Sequence, residues 1–189
     1  MIANVPAVDF WYYAFGHDAL NADDARRLIA LCDAEGEEGA VGKSRISPTV
    51  RRSSVAWVPQ APEFKELYDH VWNVARGFNT RYFGFDLTGY ENAMQIARYD
   101  AAREGGYDWH TDFSLIKQTR KLSLSIQLSA GDSYEGGNLE FDVGAAPVAA
   151  GRDLGLAIAF PSFIRHRVAR VTKGVRYSLV AWLGGPRFR

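Results

Sequence analysis

A histidine and an aspartate one residue apart, His110-Thr111-Asp112, are the first feature of this sequence able to do chemistry. In an extended segment residues i and i+2 project to the same side, so an imidazole and a carboxylate can reach one ion. Two ligands define a site poorly, and a third must come from elsewhere. The chain has four histidines, His17, His70, His110 and His166. His17 falls in an aromatic N-terminal segment and His70 in a predicted helix. His166 sits in a strand-like stretch that can become a sheet neighbour of His110. Two histidines and one carboxylate make a facial triad suited to non-haem Fe(II), with positions left open for an organic co-substrate and dioxygen. A structural zinc site would instead close its tetrahedron. On these three residues alone two other readings stay open: a different metal, or a surface His110 beside an acid with a packed His166.

Arg176 follows His166 by ten residues, across a predicted turn at Lys173-Gly174 and on the next strand. A guanidinium inside a barrel carries an uncompensated charge unless it meets an anion, and its planar fork suits a carboxylate. Ser178, two residues on, faces the same side and can donate a hydroxyl to that anion. Tyr99 and Gln127 are further polar candidates at this end. An ordinary exposed sheet arginine is the competing reading of Arg176. With the triad present, the two features reinforce each other: one end of a dicarboxylic keto acid chelates iron while the other meets Arg176. Tyr107, Trp109, Arg120, Arg165, Arg167 and Trp182 can form an outer pocket, although each aromatic is as readily explained by packing. Glu135-Gly136-Gly137-Asn138 is a turn whose glycines permit dihedrals closed to other residues.

Several elements must position these groups. The aromatic stretch Val8–Phe15 is expected to pack as an extended segment. Asn21 and Asp24 mark a helix start, with Ala25, Leu28, Leu31 and Cys32 on one face and Gly36 and Gly39 ending it. Thr49–Val58 (TVRRSSVAWV) reads as a strand between Pro48 and Pro59. A second helix is expected from about Pro62 to Gly77, burying Phe64, Leu67, Val71 and Val74. After Asp86 short strand-like runs alternate with glycine-rich turns: Glu91–Tyr99, Lys121–Leu128, Leu139–Val143, Leu156–Phe160, His166–Val171 and Arg176–Leu183. That spacing predicts an all-β sandwich or barrel built against N-terminal helices. Within LSLSIQLS, Leu122, Leu124, Ile126 and Leu128 share one face, and Ser123, Ser125, Gln127 and Ser129 the other. The polar face either meets water or lines a polar cavity.

Composition narrows the class. With 189 residues, 47% of them hydrophobic, one compact domain with its own core is expected. The 22 basic and 22 acidic residues balance, which argues against a general nucleic-acid or membrane surface. Cys32 is the only cysteine, so no intrachain disulfide can form, which leans towards a reducing compartment. No basic-apolar leader opens the chain and no apolar run approaches spanning length, so a cytoplasmic setting is expected. No phosphate-loop, dinucleotide or paired-cysteine motif occurs.

The stretches ARYDAAREGGYDWHTDF (97–113), RKLSLSIQLSAGDSYEGGNLEF (120–141) and FPSFIRHRVARVTKGVRYSLVAWLGGP (160–186) closely resemble the prolyl 4-hydroxylase class of 2-oxoglutarate and Fe(II) oxygenases, especially compact PKHD-type hydroxylases. The resemblance implies a mainly-β fold, a double-stranded β-helix or jelly roll with supporting N-terminal helices. It implies one domain over 1–189, with helical support mainly in 20–80 and the β-helix core in about 86–185. It assigns His110, Asp112 and His166 to iron, Arg176 to the distal carboxylate of 2-oxoglutarate with Ser178 nearby, and Tyr99 to the co-substrate region. Tyr107, Arg120 and Trp182 fall where related prolyl hydroxylases contact substrate. Two positions depart from the pattern: collagen-type relatives commonly place lysine at Arg176, and some relatives place a co-substrate-binding tyrosine at Gln127. The implied activity hydroxylates an unactivated C–H bond of a prolyl residue in a peptide or protein, consuming dioxygen and releasing succinate and carbon dioxide, with ascorbate as a supporting reductant. The alternatives are a hydroxylase of a free amino acid or small metabolite, a non-catalytic jelly-roll binding module, and a cupin-like zinc protein. The sequence sets no oligomeric state.

Overall fold

The computed structural model describes residues 12–39, 50–114 and 117–188. The chain begins with β1 (Ala14–Gly16), α1 (Ala22–Glu35), β2 (Glu37–Glu38), β3 (Arg51–Arg52) and β4 (Ser54–Trp57). A 3₁₀ turn (Pro62–Phe64) leads into α2 (Lys65–Phe78), followed by β5 (Gly89–Tyr90), β6 (Gln95–Asp100) and β7 (Gly106–His110). Next come β8 (Arg120–Gln127), β9 (Glu135–Gly136), β10 (Leu139–Phe141) and β11 (Val148–Ala149). The chain closes with β12 (Ala157–Pro161), β13 (His166–Val168), β14 (Val171–Lys173) and β15 (Val175–Gly184). The larger sheet runs β1-β12-β8-β15-β6-β4-β2, with β5 also paired to β15; the smaller runs β11-β10-β13-β7-β3, and β9 pairs with β14.

Alternation along the central strands decides what each sheet covers. On β15, Tyr177, Leu179, Ala181 and Leu183 join the main core, together with Leu122, Leu124 and Ile126 of β8. That core is closed from outside by Ala25, Leu28 and Cys32 of α1 and Val71 and Ala75 of α2. The intervening residues point the other way: Arg176, Ser178, Val180 and Trp182 line a cavity shared with Leu139, His166 and Val168 of the smaller sheet. Phe141 of the smaller sheet packs on Ile158 and Phe160 of the larger. Two antiparallel sheets thus close over one interior, with helices on the outer face of the larger: a jelly roll, as expected. The polar face of LSLSIQLS turns inward, since Ser123, Ser125, Gln127 and Ser129 are all buried.

The first helix starts where expected, with the Asn21 side chain accepting from the Asp24 N–H at 2.9 Å. Ala25, Leu28 and Cys32 are buried, Leu31 packs on the core partly buried, and Gly36 caps the end. The second helix runs past Gly77 to Phe78 and into a π turn, Asn79–Phe83, which stops at Gly84 with φ 68°. A glycine costs a helix only about 1 kcal/mol against alanine, too little to stop one held by its buried face.

The run expected as one strand at Thr49–Val58 is two. Arg51–Arg52 pairs with β7 in the smaller sheet and Ser54–Trp57 with β6 in the larger, so Ser53 is where the chain changes sheets. Thr49 lies outside the described residues. His166–Val171 also divides, His166–Val168 pairing with β7 and Val171–Lys173 with β9. Of the aromatic N-terminal segment, Val8–Trp11 lie outside the described residues, while Ala14–Gly16 pairs with β12 as an edge strand. Among the described residues no helix is long and apolar enough to cross a membrane.

Candidate active site

His110 ends β7 and His166 begins β13, directly opposite each other in the antiparallel register. Their ring centroids stand 4.2 Å apart. Asp112 lies just past the end of β7, and ligand atoms of His110, Asp112 and His166 all fall within 4.8 Å of one another. Each imidazole is oriented from behind. His110 Nδ1 lies 2.7 Å from the Asp108 carbonyl oxygen and His166 Nδ1 2.9 Å from that of Ile164. A carbonyl only accepts, so both rings donate through Nδ1 and, when neutral, leave the Nε2 lone pair free for a metal. Tyr107 stacks on the His110 ring at 3.5 Å between centroids, 13° from parallel.

The carboxylate is fixed too. Ser123 Oγ donates to Asp112 Oδ2 at 2.7 Å and stands 2.9 Å from Ser162 Oγ, while Arg120 Nη1 is 4.0 Å from Asp112 Oδ1. Burial alone would raise the Asp112 carboxyl, but the facing His166 and His110, Arg120 and the serine hydroxyl outweigh it and bring it down to about 2. Burial, then the neighbouring His166, depresses His110 to about 3. The triad therefore sets a His110 ring held neutral and an anionic Asp112 beside the His166 ring, two nitrogens and a carboxylate of the kind a divalent iron takes.

Cross-strand register assembles the other end of the cavity. Arg176 sits opposite Tyr99 on β6, and Ser178 opposite Gln127 on β8. The Arg176 guanidinium is 1% exposed and 5.5 Å from the Tyr99 ring centre. Its Nη2 donates to Gln127 Oε1 at 3.0 Å, while Nε and Nη1 have no partner among the described residues. Gln127 in turn donates through its amide to the Gly151 carbonyl at 3.2 Å. A buried cation with two idle donors facing a cavity fits an anionic ligand.

The remaining candidates divide. Tyr107 and Trp182 line the same cavity, whose open volume is about 50 Å³, and Arg120 stacks on Trp182 at 4.3 Å while donating to Asn92 Oδ1 at 2.8 Å. Trp109, Arg165 and Arg167, expected at an outer pocket, are on the opposite face of the smaller sheet. There Trp109 is flanked by both guanidinium groups, which pair with Asp142 and Glu140. The pleat explains it, because Arg167 lies between two inward residues, His166 and Val168. The sequence also missed two lining residues, Arg51 and Gln95. Arg51 Nη2 donates to Gln95 Oε1 at 2.9 Å, and the guanidinium lies 4.8 Å from the Tyr107 ring centre. No sequence signal marks Arg51, since a strand arginine is ordinarily exposed; only the sheet change at Ser53 turns it inward.

A jelly roll holding a His-Asp-His triad of this kind has the architecture typical of Fe(II)- and 2-oxoglutarate-dependent oxygenases. Residues 94–184 match the family model of the 2OG-Fe(II) oxygenase superfamily, just under half of the chain. A PKHD-type hydroxylase of Synechococcus sp. (strain CC9311) is 37% identical over 82 residues, 43% of this chain and 37% of that protein. One from Teredinibacter turnerae is 32% identical over 93 residues, 46% of this chain and 41% of that protein. The matched segment thus spans about two fifths of the length of these curated relatives. Among solved structures, a Pseudomonas putida prolyl-4-hydroxylase superposes with TM-score 0.73 at 20% identity, covering 93% of both chains. A Trichoplax adhaerens prolyl hydroxylase in complex with a hypoxia inducible factor oxygen degradation domain peptide fragment superposes with TM-score 0.77 at 17% identity, covering 92% of this chain and 83% of that one. At those identities the superpositions establish the fold.

Proposed function

We propose that this chain, as one domain over residues 1–189, is a 2-oxoglutarate- and Fe(II)-dependent dioxygenase that hydroxylates a prolyl residue in a peptide or protein. The observation that carries the reading is that the triad and the idle donors of Arg176 open on one cavity, so a keto acid can meet a metal with one end and a guanidinium with the other. When bound, iron and 2-oxoglutarate supply the oxidising chemistry, in which dioxygen and the keto acid are consumed, succinate and carbon dioxide are released, and one oxygen atom enters the substrate C–H bond.

The chain's own residues bind, orient and exclude. His110 and His166 present their Nε2 lone pairs and Asp112 its charge, with Ser123 and two backbone carbonyls preventing rotation. Arg176 holds the distal carboxylate, Ser178 adds a hydroxyl, Tyr99 forms the wall beneath, and Gln127 aims Arg176. Phe160, Leu139 and Val168 close the cavity around the triad with apolar surface and keep bulk water from it. Tyr107, Arg120 and Trp182 form the substrate side, where flat aromatic faces suit a pyrrolidine ring. The lone buried thiol Cys32 is compatible with a reducing, cytoplasmic setting. The narrowness of the cavity favours a second reading, hydroxylation of a free amino acid or small metabolite.

The test is anaerobic reconstitution with Fe(II), then oxygen, following succinate formed from 2-oxoglutarate with prolyl peptides or free proline, beside His166→Ala. Turnover in the wild type alone, stimulated by peptide, is the expected result. Stimulation by free proline only would select the second reading. Failure of the wild type to bind both iron and 2-oxoglutarate would sink the oxygenase assignment.

A further inference from the structure

Beside Arg176 lies a second buried donor with nothing to donate to. Tyr134, the residue before β9, is 3% exposed, and its hydroxyl has no hydrogen-bond partner among the described residues. The ring itself is firmly held. The Arg152 guanidinium stacks 4.2 Å from its centre, and Arg152 Nη2 donates to the Tyr134 carbonyl. Tyr134 packs in one buried cluster with Tyr99 and Val168, both of which line the cavity. Gly137 fixes the ring against the arginine, since a Cβ there would stand 3.2 Å from both Tyr134 Cε2 and Arg176 Cδ. The ring edge and the arginine stem therefore flank the same glycine, each ending in polar atoms without a partner.

We propose that Tyr134 is a further co-substrate residue, its hydroxyl donating to the distal carboxylate of 2-oxoglutarate alongside Arg176. This rests on the oxygenase reading above. A carboxylate offers about four acceptor positions. Arg176 Nε and Nη1 occupy two, and the Ser178 hydroxyl a third. Gln127 is already engaged at both ends, its amide donating to Gly151 and its oxygen accepting from Arg176, and it does not line the cavity. Tyr134 can take the fourth, and as a neutral donor it adds a bond to a charged acceptor without bringing a second cation into the interior. Without that acceptor the buried hydroxyl is a cost to the protein, which gives the inference a two-sided test.

The experiment compares the wild type with Tyr134→Phe, both loaded with redox-silent Mn(II), in binding titrations with 2-oxoglutarate and with 2-oxopentanoate, which has the same chelating head but a methyl in place of the distal carboxylate. Thermal unfolding of both metal-free proteins accompanies the titrations. The variant is expected to bind 2-oxoglutarate about tenfold more weakly, to bind 2-oxopentanoate as the wild type does, and to melt at the same or a higher temperature when metal-free. Equal 2-oxoglutarate affinity in the two proteins would overturn the assignment. So would an equal loss for both keto acids, or a metal-free variant of lower melting temperature, since the hydroxyl would then serve the fold or an internal water. A wild type that binds no 2-oxoglutarate would remove the oxygenase reading itself, an outcome distinct from these.

Discussion

The two ends of the cavity are built on opposite principles. At the metal end each ligand is fixed by a group that does not depend on a metal: the Asp108 and Ile164 carbonyls for the imidazoles, and the Ser123 hydroxyl for the carboxylate. At the anion end one donor of Arg176 is used to aim the guanidinium and the others are left idle. Geometry at the first end is prepaid by hydrogen bonding, whereas the second end is incomplete until a carboxylate arrives. Metal binding should therefore gain little rigidity at the triad, and most of the ligand-induced stabilisation should come from the keto acid.

The largest expected effect falls on the incomplete end. Arg176→Met removes two charge-assisted hydrogen bonds of roughly 1.5–3 kcal/mol each, so 2-oxoglutarate affinity should fall by about 10²–10⁴-fold in a Mn(II)-loaded titration. The metal-free variant should be no less stable than the wild type, because an apolar chain of similar length replaces a buried cation. A variant that unfolds while its 2-oxoglutarate affinity is unchanged would show that the guanidinium is a structural pillar, and the contrast between the ends would collapse.

Ser123→Ala probes the prepaid end. Losing the group that holds a ligating carboxylate costs about 10–100-fold in metal affinity, measurable by competition with a chelator. At saturating metal the 2-oxoglutarate affinity should stay within about twofold of wild type, because β8 still presents Gln127 to Arg176. Equal losses at both ends would mean that β8 transmits strain along its length.

The contrast also explains what the sequence could and could not reveal. Residues on the regular strands were legible, because alternation alone puts Arg176 and Ser178 on one face and Ser123 and Gln127 on another. Alternation names a face without saying what the face meets. The same rule that brings Arg176 inward leaves Trp109 and Arg167 on the far side of the smaller sheet, where the sequence reading expected an outer pocket. Arg51 was hidden for a different reason. Its orientation depends on the crossing at Ser53, and nothing in TVRRSSVAWV marks where one strand becomes two. Tyr134 carried no signal because it lies outside any long strand, next to a turn in which Gly136 and Gly137 take positive φ. The helices were legible through the Asn21 cap and their apolar faces, and only the end of the second was misplaced.

The smallest effect separates the ends by pH. In the metal-free protein His110 is held down at about 3, first by burial and then by His166, whereas a free histidine titrates near 6.5. Between those values the unfolded chain takes up a proton that the folded chain refuses, so stability falls as pH falls through this window. Asp112 acts in the same direction lower down: its carboxyl lies at about 2 against an ordinary 3.8, so its contribution is present above 3.8 and lost as pH drops towards 2. Melting temperatures of the metal-free protein should therefore decline from about pH 6.5 downwards, and His110→Asn should flatten the decline between pH 6 and 4. A decline that persists unchanged in His110→Asn would place the acid sensitivity outside the triad and show that the metal end carries less stored desolvation than its geometry implies.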